Sequence, residues 1–273
     1  MATAQLDLTW IGGATERRLR KRRPGSDRLP WGTICAAELD SAHLREARAV
    51  WTNAVFTEYA SAAAFASFSS ACLEACAPID LTATITDCAV DELAHVELAS
   101  RLLAELGGAA PFETDLEKVS PLTTVGFRAV MRAAEIAVTT SCVGEALSLP
   151  ALRHGKGTTQ HPLAQAVIAR LLADEGAHAR VGFTYLAWAE ERTTKGEREH
   201  LAELALTTIA AYASLWQSSD CACPKTALTT SIDANYRAAM RRAVREQIAR
   251  PLAKVGVDLD PERLAALLQD TSV

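Results

Sequence analysis

The chain has 273 residues, a formal net charge of −5, and a composition that is 49% hydrophobic but only 5% aromatic. This length allows one core with an appended subdomain, and the alanine- and leucine-rich composition favours helices over sheet. The mild charge gives no indication of a nucleic-acid or membrane partner. Seven cysteines scattered through helical segments argue against a secreted disulfide framework. Without a secretory signal or a spanning segment, we expect a cytoplasmic protein.

Residues 1–37 are predicted to form an irregular, basic N-terminal arm. The run RRLRKRR at residues 17–23 is followed by a segment rich in turn residues. Such a run indicates either an anionic partner, such as nucleic acid or an acidic carrier, or an arm that is solvated or packs on the protein's own acidic surface. We favour the second interpretation and do not expect a nucleic-acid partner.

Residues 38–193 are predicted to form a bundle of four helices, and residues 194–273 are predicted to add further helices that pack on it. Asp80 is the expected N-cap of the second helix, and the third helix is expected to start near Thr123. The connection at residues 108–120 can reach about 43 Å when extended, which matches the length of about 39 Å expected for helix two. A crossover of this length returns along the bundle, so helices two and three should be parallel. The predicted helices cover residues 41–75, 80–107, 123 to beyond 145, 162–192, 197–217, 232–249 and 261–268.

The motif Asp-Glu-x-x-His occurs twice, as DELAH at residues 91–95 and as DEGAH at residues 174–178. A Glu and a His at positions i and i+3 share one helix face and can bind one metal ion together. The other two predicted bundle helices each contain an isolated acidic residue, Glu58 and Glu145. One Glu from each of two helices, with Glu-x-x-His from the other two, is the inward-facing ligand set of dinuclear carboxylate bundles.

Over residues 41–192 the sequence therefore resembles the ferritin-like non-haem di-iron carboxylate superfamily, in its oxidase and oxygenase branch. The resemblance implies an all-α, ferritin-like four-helix bundle that holds two iron ions, or iron with manganese, and uses dioxygen as co-substrate. Glu92 and Glu175 are the expected bridging ligands. We also expect Asp91 and Asp174 to accept hydrogen bonds from the ligand imidazoles, each from the histidine of the opposite motif. The metal ligands implied by the resemblance are Glu58, Glu92, His95, Glu145, Glu175 and His178.

Several other residues are weaker candidates for the chemistry. Tyr59, beside Glu58, and Tyr185, two turns beyond His178, are candidate redox-active tyrosines, although core packing is the favoured interpretation for both. Cys142 and Ser141, one turn before Glu145, are predicted to line the oxygen or substrate cavity. Pro150 either opens a pocket beside the site or ends the helix.

Three classes of function share such a site. The favoured class is an oxidase or oxygenase that hydroxylates, N-oxygenates or desaturates a small organic substrate, with electrons from a reductase or a ferredoxin. The second class is a ferroxidase or peroxide scavenger of the ferritin or rubrerythrin type, and the third is a radical-generating or structural dimetal protein. Within the first class, a tRNA-modifying hydroxylase is a further alternative. About 80 residues of helix beyond the bundle can roof a substrate pocket, and the chain has no Cys-x-x-Cys module of the rubrerythrin kind. The sequence is compatible with a homodimer, and it does not assign a role to Cys221 and Cys223.

Overall fold

The computed structural model describes residues 4–5, 8–22, 25–114, 119–217, 228–230 and 232–269. Cys221 and Cys223 lie outside the described residues. The described part is almost entirely helical, with one two-residue strand pair in which Ala4–Gln5 (β1) runs antiparallel to Glu113–Thr114 (β2). The helices are α1 (Gly13–Arg22), α2 (Ser41–Glu74), α3 (Ile79–Glu105), α4 (Ala129–Ile136), α5 (Ala146–Thr158), α6 (Pro162–Ala189), α7 (Lys195–Gln217), α8 (Ala234–Ala243), α9 (Arg250–Ala253) and α10 (Pro261–Leu267).

The bundle consists of α2, α3, α6 and a third long helix in which α4 and α5 are joined by a π-helical segment at Ala137–Glu145. Local signals define two of the starts. Asp40 caps α2, because its carboxylate accepts hydrogen bonds from the backbone N–H groups of the first turn. Pro162 occupies the first turn of α6, where its missing N–H costs nothing.

Contacts between α2 and the third helix establish the chain direction. Arg132, near the start of α4, forms an ion pair with Glu74 at the end of α2. Halfway along, Ser61 Oγ on α2 lies 3.0 Å from Glu145 Oε1. The third helix is therefore antiparallel to α2 and parallel to α3. The predicted all-α bundle with a long crossover between its second and third helices is confirmed.

Two local predictions were wrong, and one of the two alternatives for Pro150 is excluded. Asp80 lies within the first turn of α3, which starts at Ile79 after Pro78. The third helix starts at Ala129, because the N–H and hydroxyl of Thr124 bind the Glu135 carboxylate at 2.8 and 2.6 Å and hold that segment as a loop. Pro150 does not end its helix: α5 continues to Thr158, and the irregular turns lie before the proline, in the π-helical segment.

The N-terminal arm, expected to be irregular, contains the helix α1. An i,i+4 pair between Glu16 and Arg20, 2.8 Å apart, supports this helix. The Arg20 guanidinium also lies 3.3 Å from the buried Glu97 of α3, and Arg22 pairs with Asp87, which is also on α3. The basic segment thus packs on acidic side chains of its own bundle.

The C-terminal helices cover one side of the bundle. The buried residues of α7 recur every three or four positions, from Leu201 and Ala205 through Ile209 to Ala213 and Trp216, and this face joins the main core. Among the described residues, no helix combines the length and apolar character that crossing a membrane requires.

Candidate dinuclear metal site

The two Glu-x-x-His motifs face each other across the centre of the bundle, from α3 and from α6. They form two overlapping groups of ligand-type side chains, and within each group the ligand atoms lie within 4.8 Å of one another. Glu92 and Glu175 belong to both groups. One group adds Glu58 and His95, and the other adds Glu145 and His178. The structure therefore brings all six sequence-predicted ligands together.

Each imidazole places Nδ1 against glutamates of the cluster and Nε2 against an aspartate. His95 Nδ1 lies 3.2 Å from Glu58 Oε2 and 3.3 Å from Glu92 Oε2, while its Nε2 lies 3.3 Å from Asp174 Oδ2. His178 Nε2 lies 3.3 Å from Asp91 Oδ2. Each aspartate thus contacts the histidine of the opposite motif, an arrangement in which Nε2 donates its proton and Nδ1 is left for a metal.

The site concentrates negative charge away from water. Burial raises the pKa of Glu58 to about 7, against the hydrogen bond from His95. Burial and the neighbouring Glu145 and Glu92 hold the pKa of Glu175 well above its usual range. Burial alone would lower the pKa of His95, but hydrogen bonds to Asp174, Glu58 and Glu92 outweigh it and raise that pKa. Without a cation, the cluster is therefore costly to keep ionised.

Two buried atoms show that the residues suit a metal. Glu92 Oε1 and His178 Nδ1 lie 2.7 Å apart, but they are not aligned for a hydrogen bond, and neither has a hydrogen-bond partner in the described part of the chain. A buried polar atom without a partner is uncommon, and here both atoms could act as ligands of one cation. Four carboxylates and two imidazoles balance the charge of two divalent ions and suit iron or manganese.

Serine hydroxyls hold the carboxylates on the other face of the cluster. Ser61 Oγ donates to Glu145 Oε1 at 3.0 Å, and Ser148 Oγ donates to Glu175 Oε2 at 3.1 Å. Each serine follows an isolated glutamate by three residues, Glu58 and Glu145, so a Glu-x-x-Ser pattern occurs on the two helices that lack Glu-x-x-His. That repeated spacing was the signal by which the sequence could have identified both serines.

A cavity of about 580 Å³ reaches the cluster from this face. Its lining includes three carboxylates of the cluster, Glu58, Glu145 and Glu175. The rest of its wall is uncharged, and α7 and α8 contribute part of it. Their residues in the wall are Thr208, Tyr212, Leu215, Trp216, Tyr236 and Met240. No sequence motif identifies these positions, because a helical spacing of apolar residues does not tell which of them borders a void.

The other candidates lie away from the cavity wall. Cys142 is fully buried in the apolar core, where burial raises the pKa of its thiol well above its usual value. Ser141 accepts a hydrogen bond from the Gly182 N–H at 2.8 Å and so ties the third helix to α6. The prediction that Cys142 and Ser141 line the cavity was therefore wrong, because Cys142 is buried in the apolar core and Ser141 binds the backbone of α6.

Neither candidate tyrosine contacts the cluster through its hydroxyl. Tyr185 donates to the Val130 carbonyl at 2.9 Å and packs edge-on against Phe68, with a pKa raised by burial. Tyr59 packs on the second apolar cluster of the bundle, beside Trp51 and Val55. These surroundings fit the core-packing interpretation rather than a redox role.

A bundle with two Glu-x-x-His helices, two Glu helices and a long crossover is a ferritin-like all-α protein, the fold class predicted from the sequence. A solved structure with this fold is that of protein 19 with aldehyde deformylating oxidase activity from Synechococcus. It aligns with a TM-score of 0.60 and 16% identity over 86% of this chain and 99% of its own. At this identity the likeness shows the fold alone. No protein-family model and no curated protein matches the sequence.

Proposed function

We propose that the protein is a dioxygen-dependent oxidoreductase that holds two iron ions, or iron with manganese, and oxidises a small organic substrate. The residues that would hold the metals belong to two overlapping groups, both of which contain Glu92 and Glu175, and these residues are Glu58, Glu92, His95, Glu145, Glu175 and His178. The observation that carries the proposal is the connection between this cluster and the cavity, whose wall includes three of the ligand carboxylates. A buried metal site that opens into an uncharged cavity can act on a bound molecule, whereas a purely structural site needs no cavity.

When bound, the two metal ions supply the redox chemistry that activates dioxygen. The chain's residues supply position and surroundings. Asp91 and Asp174 fix the imidazole orientation, and Ser61 and Ser148 orient carboxylates at the cavity floor. A metal binds the neutral form of an imidazole, and Asp174 at Nε2 would favour the tautomer that leaves His95 Nδ1 free for a metal. The apolar part of the wall limits water beside the reacting molecule.

The electron balance requires a second partner. Complete reduction of dioxygen takes four electrons, and oxidation of the organic substrate supplies two of them. We therefore propose an electron donor, a reductase or a ferredoxin, for the remaining two. The structural neighbour's aldehyde deformylating oxidase activity supports the choice of an organic substrate over iron storage, but it does not extend to the substrate of this chain.

The tRNA-modifying alternative receives no support from the basic segment. Arg20 and Arg22 already pair with Glu97 and Asp87 of the bundle, so this part of the segment is engaged within the chain. The ferroxidase alternative is not favoured by the cavity, because its wall beyond the carboxylates offers no further charged residue, among those described, to guide iron inwards.

The test is oxygen consumption by the purified, iron-loaded protein with a chemical reductant. We expect about two metal ions per chain, as in other dinuclear carboxylate bundles. We also expect oxygen uptake to remain slow until an organic substrate from a mixed library is added. Uptake driven by ferrous ion alone, with mineral accumulating in a shell-like assembly, would instead support the ferritin class.

A further inference from the structure

The cavity wall carries charge only at its floor. Apart from Glu58, Glu145 and Glu175, every described residue that lines it is uncharged, and Phe56, Leu147, Trp216 and others make much of it apolar. Four ligand carboxylates balance two divalent ions, so the loaded site has no net positive charge to attract an anion. If the site acts on an organic molecule as proposed above, that molecule should be uncharged and largely apolar.

One polar group in this wall is positioned for recognition. Tyr212, on α7, reaches across to the π-helical segment at Gly144, the residue before Glu145. A Cβ atom at Gly144 would lie 3.1 Å from the Tyr212 hydroxyl, so the glycine allows this close approach. Burial, followed by the nearby Glu145, raises the pKa of Tyr212 to about 12, which keeps its hydroxyl protonated at neutral pH.

The hydroxyls of Tyr212 and Tyr185 differ in their hydrogen bonding. Tyr185 donates to the Val130 carbonyl, whereas the hydroxyl of Tyr212 makes no hydrogen bond to another residue in the described part of the chain. The Tyr212 side chain is 37% exposed and borders the cavity, so its hydroxyl is accessible to a molecule bound there and can donate to an oxygen of that molecule.

We propose that the Tyr212 hydroxyl donates a hydrogen bond to the polar end of an uncharged substrate, a carbonyl, ether or hydroxyl oxygen, and holds that end beside Glu145. The remainder of the molecule lies against the aromatic and aliphatic wall. Tyr212 is then a specificity-determining residue, contributed by a helix outside the four-helix bundle.

The test measures binding rather than turnover, on the full-length metal-loaded protein by equilibrium dialysis. Three probes share one carbon skeleton: 4-phenyl-2-butanone as the neutral acceptor, n-butylbenzene as the hydrocarbon and 4-phenylbutanoate as the anion. Tyr212→Phe should weaken ketone binding about three- to tenfold, the effect of one hydrogen bond, and should leave n-butylbenzene within about twofold. The anion should bind at least about tenfold more weakly than the ketone.

Tyr185→Phe is the control, because it removes a tyrosine hydroxyl that lies outside the cavity wall and binds the Val130 carbonyl. It should leave both neutral probes within about twofold of the wild type. The proposal is overturned if Tyr212→Phe weakens ketone and hydrocarbon equally, or neither. It is also overturned if the anion binds as tightly as the ketone, or if the ketone fails to bind at millimolar concentration.

Because this measurement needs no oxygen and no turnover, it separates the two proposals. Tyr212-dependent ketone binding by a protein that never consumes oxygen would retain the recognition role and overturn the oxidoreductase. Substrate-dependent oxygen uptake with no effect of Tyr212→Phe on binding would do the reverse.

Discussion

The two faces of the ligand cluster are built differently. On the imidazole face, His95 and His178 are each backed by an aspartate, and Asp174 is itself held by Arg170 at 3.0 Å. On the carboxylate face, Glu58 and Glu145 border the cavity. On that face the neutral hydroxyls of Ser61 and Ser148 donate to Glu145 and Glu175.

This difference separates two tasks. Charged hydrogen bonds in a dry environment are stronger than those of neutral hydroxyls, so the imidazole face is the more rigidly determined of the two. The carboxylate face is held less rigidly, and it is accessible from the cavity. We therefore expect substitutions on the imidazole face to affect metal affinity most, and substitutions on the carboxylate face to affect it less.

The largest effect should come from His95→Ala, which removes a ligand from the imidazole face. Two buried carboxylates, Glu58 and Glu92, then lose the imidazole they contact, and stoichiometric metal should be lost. Metal content per chain, measured by plasma mass spectrometry, checks this. His43→Ala, which removes a half-exposed histidine at the start of α2, should retain full metal. A His95→Ala protein that keeps both metals would show the ligand assignment to be wrong.

Removal of the metals with a chelator should lower the melting temperature by about 10 °C. Metal ions that bind the folded state well above their dissociation constants contribute about 4 kcal/mol, and each kcal/mol shifts the midpoint of a chain this size by about 2–4 °C. The apo-protein also retains Glu175, whose charge is disfavoured by burial and by Glu145 and Glu92. Differential scanning calorimetry measures the shift.

The same chelator should not change the midpoint of the His95→Ala protein, which holds no metal to lose. An equal shift in both proteins would mean that the stabilising ion sits elsewhere.

A smaller effect is expected for Asp174→Asn, which keeps the shape behind His95 but removes the charge. The carboxylate fixes the Nε2 proton, and loss of such a partner typically weakens metal binding about 10- to 100-fold. Competition with a chromogenic chelator measures the affinity. Asp80→Asn, an exposed change in the first turn of α3, should leave it unchanged. Equal affinities for Asp174→Asn and wild type would remove the basis for calling the imidazole face rigid.

The ligand cluster was predictable from sequence, and the cavity wall beside it was not. Two Glu-x-x-His repeats and two isolated glutamates identify the cluster, because ligation imposes a fixed spacing on a helix. The crossing contacts of Asp91 and Asp174 follow from the same repeat. The cavity depends on where α7 and α8 pack, and a long-range packing geometry leaves no periodic trace. Tyr212 and Trp216 were missed for this reason.

The wrong prediction for Cys142 also comes from local geometry that the sequence does not show. Cys142 stands one turn before Glu145, which in an ideal α-helix would place both on one face. The segment Ala137–Glu145 is π-helical, with more residues per turn, so positions one α-helical turn apart no longer align. The sequence shows Pro150 but not the π-helical turns before it.

The smallest effect should come from Ser148→Ala on the carboxylate face. Ser148 Oγ donates to Glu175 Oε2 at 3.1 Å, one neutral hydrogen bond worth about 1 kcal/mol, so metal affinity should fall only about three- to fivefold. Ser67→Ala is the matched control, since its hydroxyl binds only the backbone of its own helix, at the Ala63 carbonyl. The same chelator competition measures both. If Ser148→Ala weakens metal binding as much as Asp174→Asn does, the two faces hold the metals equally, and access from the cavity must then depend on movement of the wall rather than of the ligands.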